Sequence, residues 1–380
     1  MNTAQRRKGK RMAVAGHSFV LLASLVAMLL AAPSTATGEE PTPGPAGELY
    51  VPEVGNDSVA VLDSADNSTK ERLPIHAPVG PSRPSVMTKT PDGSKIYVHN
   101  FGLASPTISI IDRKAGTTRT IPVESTPMGI FTSADGKEIY IPELNFVVEV
   151  LDVETDTIVR KLRFADIPVG AIAGPDGNMY VGFASGLIGA YDPKTGATVK
   201  PPIWSGGIAT FWYDWAKDGS KLYTSTINSI GVIDMDKWQL TKTIATNPNG
   251  AGGLLNPGAF INEVSPDGTK MYVTMFGATG VLIVDLITER VIGTVPTDGY
   301  TIGVTFSDDG SRGYITDVGP APLDFLPGPL GEGPVFLNII SLAAGFGPGT
   351  LITFDPKTGQ ILDKTETAAG PGFPVWVPDL

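Results

Sequence analysis

Short runs of apolar and β-branched residues, bounded by polar turn residues, recur from residue 47 to the end of the chain. Six of them follow directly on an Asp-Gly pair: PDGSKIYVHN from Pro91, ADGKEIYIPE from Ala134, PDGNMYVGFA from Pro175, KDGSKLYTST from Lys217, PDGTKMYVTM from Pro266 and DDGSRGYITD from Asp308. Between these turns lies a second kind of run, which ends in aspartate: VAVLD to Asp63, ISIID to Asp112, VVEVLD to Asp152, LIGAYD to Asp192, IGVID to Asp234, VLIVD to Asp285 and LITFD to Asp355. Short apolar runs framed by turn residues read as strands. Asp-Gly makes a tight reversal because Gly accepts positive φ and Asp can bond its own backbone. PKTG at Pro193–Gly196 and Pro356–Gly359 gives the same chemistry to a second reversal.

The six Asp-Gly aspartates stand at 92, 135, 176, 218, 267 and 309, so the intervals are 43, 41, 42, 49 and 42 residues. A period near 42 is the length of one four-stranded unit of a β-propeller. Named outward from the centre, strand A precedes Asp-Gly, B carries the tyrosine, C ends in Asp and D is the next β-rich run. The chain opens its pattern with GELYV at Gly47–Val51, a B strand without an A, and closes it with FPVWVPDL at Phe373–Leu380, an A strand without a B. The pattern predicts an all-β, seven-bladed β-propeller of four-stranded antiparallel blades, spanning 48–380, with N- and C-terminal strands sharing a blade. Closure of that kind removes exposed sheet edges. Two connections exceed the repeat, near 245–257 and 318–349, and the second contains the apolar segments FLPGPL and FLNIISLAAGF.

Residues 1–36 read as a signal peptide, with Arg6, Arg7, Lys8, Lys10 and Arg11 as the basic region, Val14–Leu30 as the apolar core and Ser34-Thr35-Ala36 at the cleavage site. An uncleaved anchor is the alternative, and the paired arginines also suit twin-arginine export. Residues 37–47, with Pro41, Pro43 and Pro45, read as a flexible lead-in. Removing the leader subtracts five of the 28 basic residues and none of the 39 acidic ones, which takes the formal charge from −11 to −16. Such a surface argues against nucleic acid and anionic lipid as partners. The expected protein is secreted or extracytoplasmic and monomeric, and has no integral membrane segment after cleavage. Its partner is a small molecule or an extracellular protein. Without cysteine, an exported fold of this size rests on its apolar core and not on cross-links.

The repeats resemble the YVTN family of β-propeller repeats, named for its strand B; YVHN at Tyr97–Asn100 and YVTM at Tyr272–Met275 are the nearest copies. The likeness runs from Glu48 to Leu380 apart from the two long loops. It implies the propeller fold, while related propellers include binding and surface proteins, lactonase-like enzymes, an antibiotic lyase, and haem- or quinone-linked domains of periplasmic oxidoreductases. With His17 in the leader, only His76 and His99 remain, too few for the histidine-rich copper site of a nitrous oxide reductase-like propeller. The lack of cysteine excludes a c-type haem of the usual kind. A lyase-like site with one His and a carboxylate-held divalent ion stays open.

Propeller topology gathers the B to C and D to A connections, and with them both long loops, on one face. That face is the expected location of a site, with the 318–349 connection as a lid or binding wall or else as a plug. Near the A strand starts, Arg83, Trp212, Tyr213, Asp214, Phe260, Tyr300, Phe373 and Trp376 are candidate ligand contacts converging on the axis, since small-molecule sites are concave and mostly apolar with a few polar groups. FWYDW at Phe211–Trp215 is the densest aromatic element, and strand alternation sends Trp212 and Asp214 to the side opposite Tyr213 and Trp215. Asp214 needs a partner if buried; Arg83 and a backbone group are the candidates. His99 is the candidate acid or base, with Glu143 and Asp317 as catalytic support, and a packing role stands beside this for each. No resident cofactor is expected; a Ca²⁺ or Mg²⁺ held by Glu53, Glu143 or Asp317 is the alternative. The Asp-Gly carboxylates are a whole repeat apart and cannot share a metal. These features predict a propeller binding an uncharged or partly aromatic small ligand, or a partner protein, at its loop-rich face. The alternative is a lyase, isomerase or hydrolase of a small metabolite using His99.

Overall fold

The computed structural model describes residues 44–227, 229–246, 258–276, 278–319 and 347–380. The proposed signal peptide, most of the lead-in and the bulk of both long loops lie outside the described residues. Every regular element among the described residues is a strand. Strands β1 (Glu48–Glu53), β2 (Ser58–Asp63) and β3 (Thr69–Pro74) begin the first sheet. A second sheet follows from β4 (Pro84–Lys89), β5 (Lys95–Asn100), β6 (Thr107–Asp112) and β7 (Thr117–Pro122). The third contains β8 (Phe131–Thr132), β9 (Glu138–Glu143), β10 (Val147–Asp152) and β11 (Thr157–Arg163). The fourth contains β12 (Pro168–Ala173), β13 (Met179–Phe183), β14 (Leu187–Tyr191) and β15 (Thr198–Trp204), and the fifth β16 (Ile208–Trp215), β17 (Lys221–Ile227), β18 (Ser229–Asp234) and β19 (Gln239–Ala245).

The remaining strands are β20 (Gly258–Val264), β21 (Lys270–Phe276), β22 (Thr279–Asp285), β23 (Arg290–Phe306), β24 (Gly313–Asp317), β25 (Pro348–Phe354), β26 (Ile361–Ala369) and β27 (Val375–Val377). Strands β20 to β26 form one continuous seven-stranded sheet. Its continuity comes from β23, whose 17 residues pair with β22 at one end, as in Arg290 with Asp285, and with β24 at the other, as in Phe306 with Gly313. Strand β27 returns to the first sheet, where Val377, Trp376 and Val375 pair with Glu48, Leu49 and Tyr50. All neighbouring strands run antiparallel.

Both recurrent aspartates act as turn caps. In each Asp-Gly turn, Oδ1 of the aspartate accepts the N–H two residues on, from Ser94 to Asp92 (3.0 Å) through Ser311 to Asp309 (2.9 Å). The glycine takes φ between 65° and 80° and donates its N–H back across the turn. Aspartates ending the outer runs do the same for the next reversal, as in Thr155 N–H to Asp152 (2.8 Å) and Thr288 N–H to Asp285 (2.6 Å).

Tyr50, Tyr97, Tyr140, Tyr180, Tyr223, Tyr272 and Tyr314 hold equivalent places in successive Tyr-containing strands, and all are buried. Apolar clusters join consecutive sheets: Val148 and Leu162 of the third pack with Ala171 and Met179 of the fourth, and Leu49 and Trp376 of the first with Tyr314 and Leu351 of the seven-stranded sheet. Some tyrosine hydroxyls reach a later outer turn, as from Tyr97 to Asp156 in the next sheet (2.7 Å) and, within the seven-stranded sheet, from Tyr272 to the Pro356 carbonyl (2.8 Å). No helix among the described residues is long and apolar enough to cross a membrane.

Candidate functional site

The first strand of each repeat contributes to one cavity of about 320 Å³. Thr88 and Lys89 come from β4, Phe131 and Thr132 from β8, Ile172 from β12, Trp212, Tyr213 and Asp214 from β16, Glu263 from β20, Thr305 from β23 and Val375 from β27, with Phe373 just before it. Apart from Phe373 and Val375, which lie before and at the start of β27, these residues fall in the second half of their strands or close to their ends, so the cavity lies toward the Asp-Gly turns. The loop-rich face is at the other end of these strands, and its two insertions lie largely outside the described residues.

Alternation along β16 sets the wall. Tyr213 is buried between sheets, where its hydroxyl donates to the Tyr180 carbonyl and accepts the Ile172 N–H at 3.1 Å. Trp212 and Asp214 go to the opposite side. The indole stands between two rings from distant parts of the chain, with centroids 5.0 Å from Phe131 and 5.1 Å from Phe373. Tilted rings at such separations attract through their quadrupoles as well as through apolar burial. The Trp212 Nε1–H donates to Glu263 Oε1 at 3.2 Å.

Asp214 finds backbone partners and not Arg83: Oδ2 accepts Val264 N–H at 2.8 Å and Oδ1 accepts Trp215 N–H at 2.7 Å. Both Asp214 and Glu263 retain some accessible surface, which opens onto the cavity, yet protein surrounds them. Enclosure without a neutralising cation penalises their charged forms. Burial raises Asp214 to about 6 against the donated N–H bonds, and raises Glu263 well above the carboxylate range, with the charge of Asp214 adding to it. The enclosure thus favours the protonated forms of both carboxyls relative to exposed ones. Among the described residues Glu263 Oε2 has no hydrogen-bond partner, the Trp212 indole being bonded to Oε1. The one ammonium in the cavity wall, Lys89 Nζ, is turned toward the rim and held by the Trp376 carbonyl (2.7 Å) and Asp308 (3.3 Å).

Of the residues singled out from sequence, Trp212, Tyr213, Asp214 and Phe373 line this cavity; Arg83, Phe260, Tyr300 and Trp376 do not. Arg83 donates to the Val54 carbonyl at 3.3 Å, and its backbone N–H to Asp57 at 2.7 Å. Phe260 meets Phe211 edge-on at 5.9 Å, Tyr300 is buried in the core, and Trp376 is buried under Lys89 between two sheets. His99 is only 3% exposed, and its Nδ1 lies 3.2 Å from Ser85 Oγ. Burial holds this imidazole down to about 4, so it is neutral at physiological pH.

Glu53, Glu143 and Asp317 are buried on separate sheets. Glu53 accepts from Ser58 (2.6 Å) and Arg72 (3.1 Å), and Asp317 accepts three backbone N–H groups, from Asp298, Gly299 and Gly319. Neither oxygen of Glu143 has a partner with hydrogen-bond geometry. Among the described residues no three histidine or carboxylate side chains gather as a metal site would need. The sequence reading passed over Glu263, Phe131 and Lys89. Each ends or nearly ends an inner strand, so its position before an Asp-Gly turn was the available signal.

Among the described residues, five four-stranded sheets and one seven-stranded sheet, all antiparallel, define a class: an all-β protein of the β-propeller kind. No family model matches the chain, and no curated protein matches it. Solved structures do. A functionally unknown protein from Desulfotomaculum acetoxidans DSM 771 superposes with a TM-score of 0.64 at 12% identity, over 88% of this chain and 100% of its own. Hydrazine synthase from Kuenenia stuttgartiensis gives 0.55 at 18% identity, over 76% and 86% of the two chains. The dihydro-heme d1 dehydrogenase NirN in complex with DHE gives 0.55 at 13%, over 88% and 75%. At these identities the likeness shows the fold alone.

Proposed function

We propose that the chain is an exported, seven-bladed β-propeller of the YVTN-repeat type that binds a small, partly aromatic ligand in its axial channel. The seven-blade reading is supported by β23, which pairs with β22 at one end and β24 at the other and so counts in both of the units it joins. Closure is supported by the pairing of β27 with β1 and by the apolar cluster between the first sheet and the seven-stranded one. Export rests on the basic, apolar and small-residue succession of residues 1–36. The observation that carries the binding function is the cavity itself, where Phe131, Trp212 and Phe373 stand beside two enclosed carboxyls. A polar group enclosed without a partner is costly, and a ligand beside Glu263 would supply that partner.

Intrinsic tryptophan fluorescence tests this reading directly. Titrating 2-phenylethanol into the protein is expected to change the Trp212 emission saturably, and Trp212→Leu to abolish the change while keeping the fold. Absence of any saturable response would move the function to the loops at 245–257 and 318–349 and to a protein partner. The enzyme alternative, acid or base work by His99, draws its support from the Ser85 hydroxyl beside the ring. A general base must reach its substrate, and His99 is outside the cavity wall, so His99→Gln is expected to leave channel binding intact.

A further inference from the structure

Two carboxyls face the channel cavity, and among the described residues no cation pairs with them. Asp214 is occupied by two backbone N–H groups, but Glu263 keeps Oε2 free, and the residue is enclosed by protein except where it meets the cavity. Against this polar corner stands the row Phe131, Trp212, Phe373.

We infer that the channel is built for a protonated amine carrying an aryl or apolar group, with the ammonium at Glu263 and Asp214 and the apolar part on the Trp212 row. This rests on the channel reading above and departs from an uncharged ligand at one point, the head group. An anion is disfavoured by the carboxyls. A bare metal ion would need several oxygen ligands around one centre, and among the described residues no such group of three assembles. An ammonium suits both walls, because it donates charge-assisted hydrogen bonds to carboxylates and is attracted to aromatic faces.

Binding would balance as a proton exchange. Enclosure favours the protonated form of the empty pair; the incoming ammonium stabilises both groups as carboxylates, and a proton held there leaves to solvent. The other titratable groups near the pair do not compete. Lys89 is held by Asp308 and the Trp376 carbonyl, and the Tyr213 hydroxyl is spent on the Tyr180 carbonyl. Tyr223 and Tyr272, the cross-strand partners of Asp214 and Glu263, are kept neutral by burial. The wall residues from β8, β12, β23 and β27 bring no titratable group.

Calorimetric titration with phenethylamine and with 2-phenylethanol, which share a ring and differ in the head group, tests the inference on the full chain. At neutral pH the amine is expected to bind at least tenfold more tightly. Its heat, measured in two buffers of different ionisation enthalpy, should show proton release, and that of the alcohol none. Glu263→Gln, which keeps an oxygen for the Trp212 indole, should bring the amine down to the affinity of the alcohol. An amine that binds no better than the alcohol, or a preference that survives in the variant, overturns the amine inference and leaves the channel reading standing. Failure of both probes to bind overturns both. Should the variant not fold, the amine preference and proton release in the unaltered protein still decide the matter.

Discussion

Buried acids in this protein divide by whether the backbone comes to meet them. Glu53 and Asp317 end Tyr-containing strands and are met by donors, which makes them caps of the connections that follow. Glu143 ends the equivalent strand β9 with no donor in hydrogen-bond geometry, and lies on the same strand face as Glu149, two registers along β10. Glu149 is neutralised in part by Lys161 at 2.8 Å. Burial, and then the charge of Glu149, raise the Glu143 carboxyl from 4.5 to about 8. The folded state thus holds a proton that the unfolded chain releases above its own value. Stability is unaffected below that value, falls as pH rises between 4.5 and about 8, and levels off beyond. Glu143→Gln removes this liability. Thermal melts should coincide near pH 4 and should favour the variant near pH 8 by about 1–2 kcal/mol after allowance for screening. A variant less stable than the parent at pH 8 would show that the Glu143 carboxyl stabilises the site.

The repeat is explained at the scale of the turn. In each Pro-Asp-Gly, aspartate caps and glycine reverses, while the residue before aspartate packs on the glycine of the following turn. A Cβ built on Gly136 would lie 2.5 Å from the Pro91 ring, one on Gly310 3.0 Å from Pro266, and one on Gly93 3.4 Å from Pro378. Gly177 has nothing within 4 Å, because the preceding turn carries the short Ala134 in the proline's place. Both Gly177 and Gly136 take positive φ, 80° and 71°. Gly177→Ala therefore costs about 1 kcal/mol for backbone strain alone. Gly136→Ala should add about 1–3 kcal/mol for overpacking against Pro91. Urea unfolding midpoints, with unchanged slopes, measure the difference; equal losses would refute turn-to-turn packing. The strands and turns were legible because local chemistry dictates them: Asp-Gly, the Asp-ended runs and the periodic tyrosine all lie within a few residues of what they specify. Packing between one turn and the next is not local, so the meaning of proline at Pro91 and Pro266 had to wait for coordinates.

The same distinction governs the whole molecule. Trp212 and Asp214 could be picked from FWYDW as a pair on one side of a strand, and Phe373 from its place near the start of the last A strand. Glu263, however, sits in the unremarkable INEV of Ile261–Val264 and matters only because β20 brings it beside β16. The channel joins residues up to 288 positions apart in sequence, Met87 and Val375, so no window of sequence contains it. This design makes the chain's last residues a test of both fold and site. Phe373 completes the aromatic row, its N–H donates to the Ser85 carbonyl at 2.7 Å, and Trp376 fills the joint between two sheets. Beyond β27, the Pro378 carbonyl accepts from Arg113 at 2.9 Å. Removing residues 373–380 deletes two buried aromatics, each worth about 3–5 kcal/mol when truncated in a core, and bares the edge of β1. A loss of that size is comparable with the whole stability of an ordinary domain, about 5–15 kcal/mol. The truncated chain is therefore expected to be largely unfolded at 25 °C or to associate through the bared edge, as circular dichroism and light scattering would record. Removing only residues 378–380 spares β27 and should lower the melting temperature by a few degrees while channel binding persists. If the longer truncation melts within a degree or two of the intact protein, the terminal strands do not close the ring.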